Sequence, residues 1–164
     1  ATPVISIVGR SNSGKTTLLS SLLGQLKKRG YRVATIKHSD HDFDIDHPGT
    51  DTCCHYQAGA DIVAVSTPAK MALIKKVATE IPLDSIIEQI DNVDLIITEG
   101  YKYGNKPKIE VHRAAIPGAL LSRPEELLAV VTDEPLDAAV PCYDLHDVVG
   151  LANLIETKIL TNSL

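Results

Sequence analysis

The feature that most constrains the fold is an apolar run that leads through a glycine-rich loop into a leucine-rich segment. The loop and its flanks read SIVGRSNSGKTTLL over residues 6–19, and the apolar run begins at residue 3. Apolar residues occupy positions that would face both sides of a sheet, which is typical of a buried parallel strand. Beyond the loop, leucines recur at helical spacing and Gly30 follows a basic last turn, which predicts a helix over 16–29. A strand joined so directly to a helix favours an α/β fold.

The alternation of short apolar runs and helical segments continues along the chain. Further strands are predicted at 32–37, 61–66, 71–77, 93–98, 108–112 and 126–133, and further helices at 51–58, 82–90 and 148–160. Only the turn signal TPAK separates 61–66 from 71–77, which predicts an antiparallel hairpin. The run KIEVH alternates apolar and polar residues, which predicts an edge strand. We therefore expect one domain over residues 1–164, with a mostly parallel sheet flanked by helices, of P-loop NTPase type, and an antiparallel hairpin or edge addition.

The composition excludes several classes of protein. Hydrophobic residues make up 44% and charged residues 23% of the chain, which is typical of a globular protein. The apolar runs are far shorter than the roughly 18 residues that cross a bilayer, and the net charge of −5 argues against nucleic acid as a partner. Three cysteines without paired spacing, and no visible leader segment, indicate a reduced cytoplasmic compartment. The final TNSL is expected to be a frayed end.

The loop carries the Walker A pattern, Gly9-x-x-x-x-Gly14-Lys15-Thr16. Glycines let successive backbone N–H groups turn inward, and the following helix adds unpaired donors and its positive dipole end. In this pattern Lys15 neutralises the β- and γ-phosphates and the Thr16 hydroxyl ligates Mg²⁺. A plain glycine-rich turn is the alternative, but the strand before and the helix after favour a nucleoside triphosphate, adenine or guanine. The predicted phosphate-binding residues are Gly9, Arg10, Ser11, Asn12, Ser13, Gly14, Lys15, Thr16 and Thr17.

A second carboxylate is expected to complete the magnesium site. The buried run VDLIIT ends in Glu99, the position at which a P-loop protein places an acid near the Mg²⁺ shell or the attacking water. Asp46 and Asp51, from the stretch DIDHPGTD, are alternative metal or water-positioning groups, although Asp51 equally suits the start of a helix. The candidate catalytic residues are therefore Lys15, Asp46 and Glu99, and the candidate metal ligands are Thr16, Asp46 and Glu99.

Thr132 and Asp133 end another predicted strand, AVVTD. An aspartate there could accept hydrogen bonds from both the ring N–H and the amino group of guanine, a paired contact that adenine does not make. The same aspartate before Glu-Pro also suits an ordinary turn. Thr132 and Asp133 are accordingly candidate base-binding residues.

A polar stretch after residue 37 is rich in potential metal ligands. It holds four of the six histidines and two cysteines within 18 residues: His38, His41, His47, Cys53, Cys54 and His55. The spacing fits no closed zinc site, so a polar loop over the nucleotide is the preferred interpretation. Lys37 and His38, at a strand end, are expected to face the phosphate loop and to suit an anion.

Several motifs together resemble the family of MobB-type molybdopterin-guanine dinucleotide biosynthesis protein B. They are GRSNSGKTTLL, IKHSDHDFDIDHPGTDT, AGAD, DLIITEGYK, PKIEVHR and VVTD, in family order over nearly the whole chain. The resemblance implies GTP and Mg²⁺ as cofactors, a homodimer, and a weak GTPase at most. It also implies an adapter role with the guanylyltransferase that converts molybdopterin to its guanine dinucleotide, and towards recipient molybdoenzymes.

The sequence departs from the family pattern at three positions. Thr50, Cys54 and Tyr56 stand where the family commonly has basic residues, so a contact to a second anionic ligand is absent here or supplied elsewhere, for instance by Lys102, Lys106 or Lys108. Two other functions fit the residues less well. A small-molecule kinase or ATP-dependent ligase would need an arginine-rich lid, and a metallochaperone GTPase would use the His/Cys stretch as a metal site.

Overall fold

The computed structural model describes residues 1–161. The strands are β1 Val4–Gly9, β2 Val33–Lys37, β3 Ile62–Ser66, β4 Met71–Lys75, β5 Leu95–Glu99, β6 Lys108–His112, β7 Leu127–Thr132 and β8 Cys142–Asp144. The helices are α1 Lys15–Lys28, α2 Asp51–Gln57, α3 Leu83–Ile87 and α4 Val148–Ile155, with a 3₁₀ turn at Pro124–Glu126 and a π-helical turn at Glu156–Leu160. Most of the predicted frayed end, from residue 162 onward, lies outside the described residues.

Contacts divide the chain into two compact units. The first, here called the sheet unit, contains residues 1–39 and those from 90 onward; the second, the hairpin unit, contains residues 40–89. Organisation as one domain stays a prediction, because a division by contacts does not measure whether both units unfold together. No helix within residues 1–161 is long and apolar enough to cross a membrane.

The sheet unit is built on six strands in the order β2-β5-β1-β6-β7-β8, and every pairing in it is parallel. This confirms the predicted, mostly parallel sheet of an α/β fold flanked by helices. Because β1 pairs with β5 on one side and β6 on the other, the loop that follows it emerges at the centre of the sheet's carboxyl edge. Ligands bind at this edge in folds of this kind.

The core forms between the sheet and two helices. Leu18, Leu19, Leu22 and Leu26 are the buried face of α1, and α1 contacts α4 beside the same sheet. Each leucine removed from water in this way contributes roughly 1.5–3 kcal/mol. This packing holds the first turn of α1, and with it the phosphate loop, in a fixed position on β1.

The prediction that 108–112 is an edge strand is wrong. This strand, β6, lies between β1 and β7, and Lys108 is fully buried while Glu110 is 3% exposed. The Lys108 ammonium donates to the Gly104 carbonyl at 2.6 Å and to Glu126 Oε1 at 3.3 Å. The Glu110 carboxylate accepts from the backbone N–H groups of residues 121 and 122, each at 2.8 Å. The polar positions therefore face partners inside the protein, not water.

Other differences from the predictions are local. The three-residue strand β8 was not predicted, and the helix expected at 82–90 is the short α3. Thr50 is the N-cap of α2, where its side chain accepts from the Cys53 N–H at 3.3 Å, so Asp51 is the first helical residue and not the cap. An aspartate in a first turn still interacts favourably with the helix dipole.

The hairpin unit contains the predicted antiparallel pair as a separate two-stranded sheet of β3 and β4. Val63 is buried on the same side of this sheet as its partner Ile74. On the other side, the exposed fractions are 54% for Ile62, 67% for Met71 and 53% for Leu73. The hairpin thus presents an apolar face, defined by Ile62, Met71 and Leu73, to solvent.

Candidate functional site

The phosphate loop joins β1 to α1 through a bend that needs glycine. A Cβ on Gly9 would lie 2.7 Å from Ser13 Oγ and 2.8 Å from the Val111 carbonyl oxygen, too close for any side chain. Gly14 precedes α1 with φ of 96°, in the left-handed region that glycine adopts without strain. Asn12, with φ of 62°, has the other left-handed conformation of the loop. A glycine bend at the amino end of a helix is a backbone arrangement that suits an anion.

The Lys15 side chain folds back onto the loop that precedes it. Its ammonium donates to the Gly9 carbonyl at 2.8 Å and to the Arg10 carbonyl at 3.1 Å. Burial lowers the Lys15 pKa below its ordinary value, Glu99 raises it, and the nearby Lys102 and Lys37 lower it. Two neutral carbonyls do not balance the charge of the ammonium, so the loop attracts anionic oxygen.

Thr16 and Glu99 meet beside the loop. The Thr16 hydroxyl donates to Glu99 Oε1 at 2.5 Å, and Glu99, at the end of β5, is 9% exposed. A hydroxyl and a carboxylate are the hard oxygen ligands that Mg²⁺ takes, with phosphates and water completing its shell. The two residues therefore fit a magnesium ion that arrives with a nucleotide. Within residues 1–161, no group of three or more His, Cys, Asp or Glu could hold a metal by itself.

Asp46 lies in the hairpin unit and forms its hydrogen bonds within its own loop. Its carboxylate accepts from the hydroxyls of Thr50, at 3.0 Å, and Thr52, and from the His47 N–H at 2.8 Å. These bonds, with Thr52 the largest contributor, lower the Asp46 pKa. The carboxylate is ionised and fixed at the start of α2. Its catalytic and metal-binding roles stay predictions.

Asp133, a candidate base-binding residue, already accepts a hydrogen bond on each of its carboxylate oxygens. Oδ1 accepts from the Ala114 N–H at 2.8 Å and Oδ2 accepts from Arg113 Nε at 2.9 Å. The Ala114 bond and then the Arg113 guanidinium lower the Asp133 pKa. Its neighbour Thr132 exchanges hydrogen bonds with the backbone of Glu134, at 3.1 and 3.2 Å. Contact with a base would therefore use the remaining lone pairs of these oxygens or displace one of the present donors.

A cavity of about 280 Å³ opens beside the loop in the sheet unit. Its walls include Ser13, Gly14, Thr17, Arg113, Leu145 and His146. The Ser13 hydroxyl is buried and has no hydrogen-bond partner among the residues described. Leu145 and His146 were missed from the sequence, because they follow β8, which is too short to leave a periodic signal.

Hydrogen bonds hold the loop after β6 at both of its ends, near the cavity. Arg113 and Ala114 bind Asp133 at its beginning, and Glu110 accepts from the N–H groups of Leu121 and Ser122 at its end. Between these points the Arg10 guanidinium donates to the carbonyl of residue 119 at 2.9 Å. Arg10 belongs to the phosphate loop, and its side chain therefore links that loop to the loop after β6.

Lys37 and His38 lie at the carboxyl end of β2, as expected, next to Glu99. Lys37 pairs with Glu99 in register, and the His38 N–H donates to the Glu99 carbonyl at 3.0 Å. The His38 ring packs 4.8 Å from that of Tyr101. A cation and an imidazole therefore border the acidic side of the site.

Comparison with known proteins identifies the relatives of this chain. A family model described as molybdopterin guanine dinucleotide synthesis protein B matches residues 4–133. The chain belongs to this family. It is 35% identical over 156 residues to the molybdopterin-guanine dinucleotide biosynthesis adapter protein of Haemophilus influenzae, covering 94% of this chain and 88% of the relative. The adapter protein of Escherichia coli K12 is 36% identical over 163 residues, covering 93% and 91%.

A solved structure of a family member has the same fold. The crystal structure of molybdopterin-guanine biosynthesis protein B matches with a TM-score of 0.71 at 33% identity, covering 94% of this chain and 98% of the other. Family membership and the P-loop-type α/β fold therefore agree with the resemblance that the motifs indicated.

Proposed function

We propose that this chain is a GTP-binding adapter in the pathway that converts molybdopterin to its guanine dinucleotide. The observation that carries the proposal is the Lys15 ammonium, held over the glycine bend by the carbonyls of Gly9 and Arg10. A triphosphate entering the bend replaces those carbonyls as the partner of Lys15, and the family's adapter proteins supply the biological setting.

Binding follows from charge and from donors already in place. The N–H groups of the bend and the first turn of α1 point at the phosphates, and Lys15 balances part of their negative charge. Thr16 and Glu99 would hold a Mg²⁺ ion that accompanies the nucleotide, and the ion would neutralise part of the phosphate charge. The cavity beside Gly14 offers space for the rest of the nucleotide, with Leu145 and His146 on its wall.

The proposed GTP hydrolysis is slow. Phosphoryl transfer needs stabilised charge and a positioned water, and Lys15 with Mg²⁺ supplies the charge. Asp46 and Asp51, on the hairpin unit, are the residues proposed to position water. The chain then acts as a weak GTPase whose nucleotide state accompanies binding to its partners.

The proposed partners are the guanylyltransferase that makes the dinucleotide, molybdopterin or its dinucleotide, and recipient molybdoenzymes. The family's usual cations at 54 and 56 are absent, but Lys76 lies 4.4 Å from the centre of the Tyr56 ring and donates to the Tyr56 carbonyl at 3.0 Å. Lys76 therefore supplies a positive charge at Tyr56, where an anionic pterin phosphate could contact the hairpin unit.

A homodimer completes the proposal. The apolar face of Ile62, Met71 and Leu73 is the surface suited to pair with a second copy, since apolar patches of this kind mark interaction sites. Strand β6 offers no free edge for association, because it is internal to the sheet.

Lys15→Ala tests the nucleotide site. In a titration with a fluorescent guanine nucleotide and Mg²⁺, we expect the variant to lose tight binding while its thermal unfolding stays within a few degrees of the parent. Lys28→Ala removes the same charge from the exposed far end of α1 and serves as the control. Unchanged affinity in Lys15→Ala would refute the assignment of the loop.

Competition separates this function from an ATP-dependent one. GTP is expected to displace the fluorescent guanine nucleotide at lower concentration than ATP does. A preference for ATP would instead favour a small-molecule kinase or ligase. The same purified chain, passed over immobilised guanylyltransferase with and without GTP, tests the adapter role directly.

A further inference from the structure

Arg113 stands between the phosphate loop and Asp133, a candidate base-binding residue. A Cβ built on Gly14 would lie 3.6 Å from Arg113 Nη1, so the guanidinium touches the point where α1 begins. Its Nε donates to Asp133, and no other side-chain hydrogen bond of Arg113 is formed within residues 1–161. The two terminal NH₂ groups are therefore available to an incoming group at the cavity that Arg113 lines.

The position of Arg113 is fixed by its surroundings. Asp133 holds Nε and the next N–H in the chain, Ala114, with one carboxylate oxygen each. The Ile116 N–H donates to the Arg113 carbonyl at 3.0 Å, which makes a turn directly after it. The ion pair is partly screened from water, with 35% of the arginine side chain and 29% of the aspartate side chain exposed. A guanidinium oriented in this way loses little conformational freedom when it binds an anion.

We propose that Arg113 is a second phosphate-binding cation of the nucleotide site and that Asp133 positions Arg113 instead of reading the base. This inference rests on the proposed function, because it assigns further residues to the same nucleotide. A planar guanidinium whose Nε is taken by a carboxylate still presents two parallel N–H bonds along its other edge, which match two phosphate oxygens.

Charge and geometry support this role over base reading. A triphosphate carries more negative charge than Lys15 balances alone, and the cavity wall offers Arg113 as a further cation at the amino end of α1. Both Asp133 oxygens already accept bonds from the loop after β6. A guanine that displaced either donor would leave the Arg113 guanidinium without its carboxylate or the Ala114 N–H without its acceptor.

The test is a double-mutant cycle in nucleotide titrations with the whole chain. Arg113→Gln is expected to raise the Kd for GTP and GDP by about 10- to 100-fold, the range for a lost hydrogen bond between charged groups, and to change the Kd for guanosine little. Asp133→Asn is expected to weaken GTP and ATP by the same factor. The double variant should be no weaker than Arg113→Gln alone, because Asp133 acts through the arginine.

Two further variants serve as controls for these Kd measurements. Arg113→Lys keeps the charge without the fork and should recover part of the affinity. Arg32→Gln removes an arginine of the sheet unit that bonds Asp94 through its backbone N–H and not through its side chain, and should bind as the parent does. Thermal unfolding of every variant checks that the loop after β6 remains folded.

The outcomes separate the inference from the proposed function. A parent chain that binds no nucleotide overturns both. If the parent binds GTP, an Arg113→Gln variant with parental Kd overturns the inference alone. So does an Asp133→Asn variant that selectively loses GTP and gains xanthosine triphosphate, whose ring carries a carbonyl in place of the amino group of guanine. That result would show that Asp133 pairs with the base.

Discussion

At the scale of single residues, the contact between Thr16 and Glu99 organises the site. The two are 83 positions apart, yet the hydroxyl and carboxylate lie 2.5 Å from each other. Glu99 is 9% exposed, so its carboxyl group depends on the Thr16 hydroxyl and on the nearby Lys15 ammonium. A bound Mg²⁺ ion would instead stabilise the Glu99 carboxylate. The Thr16 and Glu99 oxygens would therefore change partners when the nucleotide binds.

Thr16→Val tests this coupling. The variant keeps the shape of threonine and removes the hydroxyl, so we expect the Mg²⁺-dependent gain in GTP affinity to fall by about tenfold, or about 1.4 kcal/mol. Affinity measured in EDTA should change less, because the phosphate loop remains. Ser20→Ala removes an exposed hydroxyl one turn further along α1 and is the control. An unaltered Mg²⁺ dependence in Thr16→Val would exclude the hydroxyl as a ligand.

At the scale of elements, β6 is held in the centre of the sheet by polar partners. Its buried lysine finds a carbonyl and a carboxylate, and its buried glutamate receives two backbone donors from the loop that carries Arg113. Buried charges are tolerated only with such partners. The buried residues of β6 thus also hold in place the loop beside the candidate nucleotide site.

Acid unfolding tests the pair formed by Lys108 and Glu126. The Arg123 N–H and then Lys108 lower the Glu126 pKa below its ordinary 4.5. A carboxylate whose pKa is lower in the folded protein stabilises the fold at pH values above its ordinary pKa. This contribution is lost as the pH falls through the lowered pKa. We expect Glu126→Gln to lower the Tm at neutral pH, and the difference from the parent to shrink steadily below about pH 4.5.

The exposed neighbour provides the matched control. Glu125→Gln removes a carboxylate whose side chain is 64% exposed and whose partner within residues 1–161 is Arg123, at 3.5 Å, so the Tm of this variant should follow that of the parent at every pH. A gap between parent and Glu126→Gln that stays constant down to pH 2 would contradict a role for the ionised carboxylate.

At the scale of the whole molecule, each unit contributes a different kind of surface. The sheet unit carries the phosphate loop and its polar cavity, while the hairpin unit exposes Ile62, Met71 and Leu73 on one side of two short strands. An isolated two-stranded sheet is marginally stable, so covering its apolar side is favourable. A second copy of the chain provides the same apolar side.

Leu73→Lys tests the association. The added charge would lie in the centre of the proposed interface, where burial without a partner is costly. We expect light scattering to report a dimer for the parent and a monomer for the variant at the same concentration, with parental nucleotide binding. Thr79→Lys adds the same charge outside the strands and should remain dimeric. A dimeric Leu73→Lys chain would place the interface elsewhere.

The sequence was sufficient for what depends on neighbours along the chain. The phosphate loop was predictable because strand, glycines, lysine and amphipathic helix are contiguous, and the hairpin because only a turn separates its strands. The edge-strand prediction for 108–112 was wrong because alternation reflects the polarity of Lys108 and Glu110 and not the partners that they find inside the protein.

Residue order alone was enough to predict a parallel α/β chain with a glycine bend of the Walker A pattern, because these properties follow from local spacing and backbone geometry. Only the tertiary structure decided that Thr16 reaches Glu99, that Asp133 holds Arg113, and that Leu145 and His146 border the cavity. Those contacts depend on the order in which distant strands pair, and strand order arises from the packing of the whole sheet.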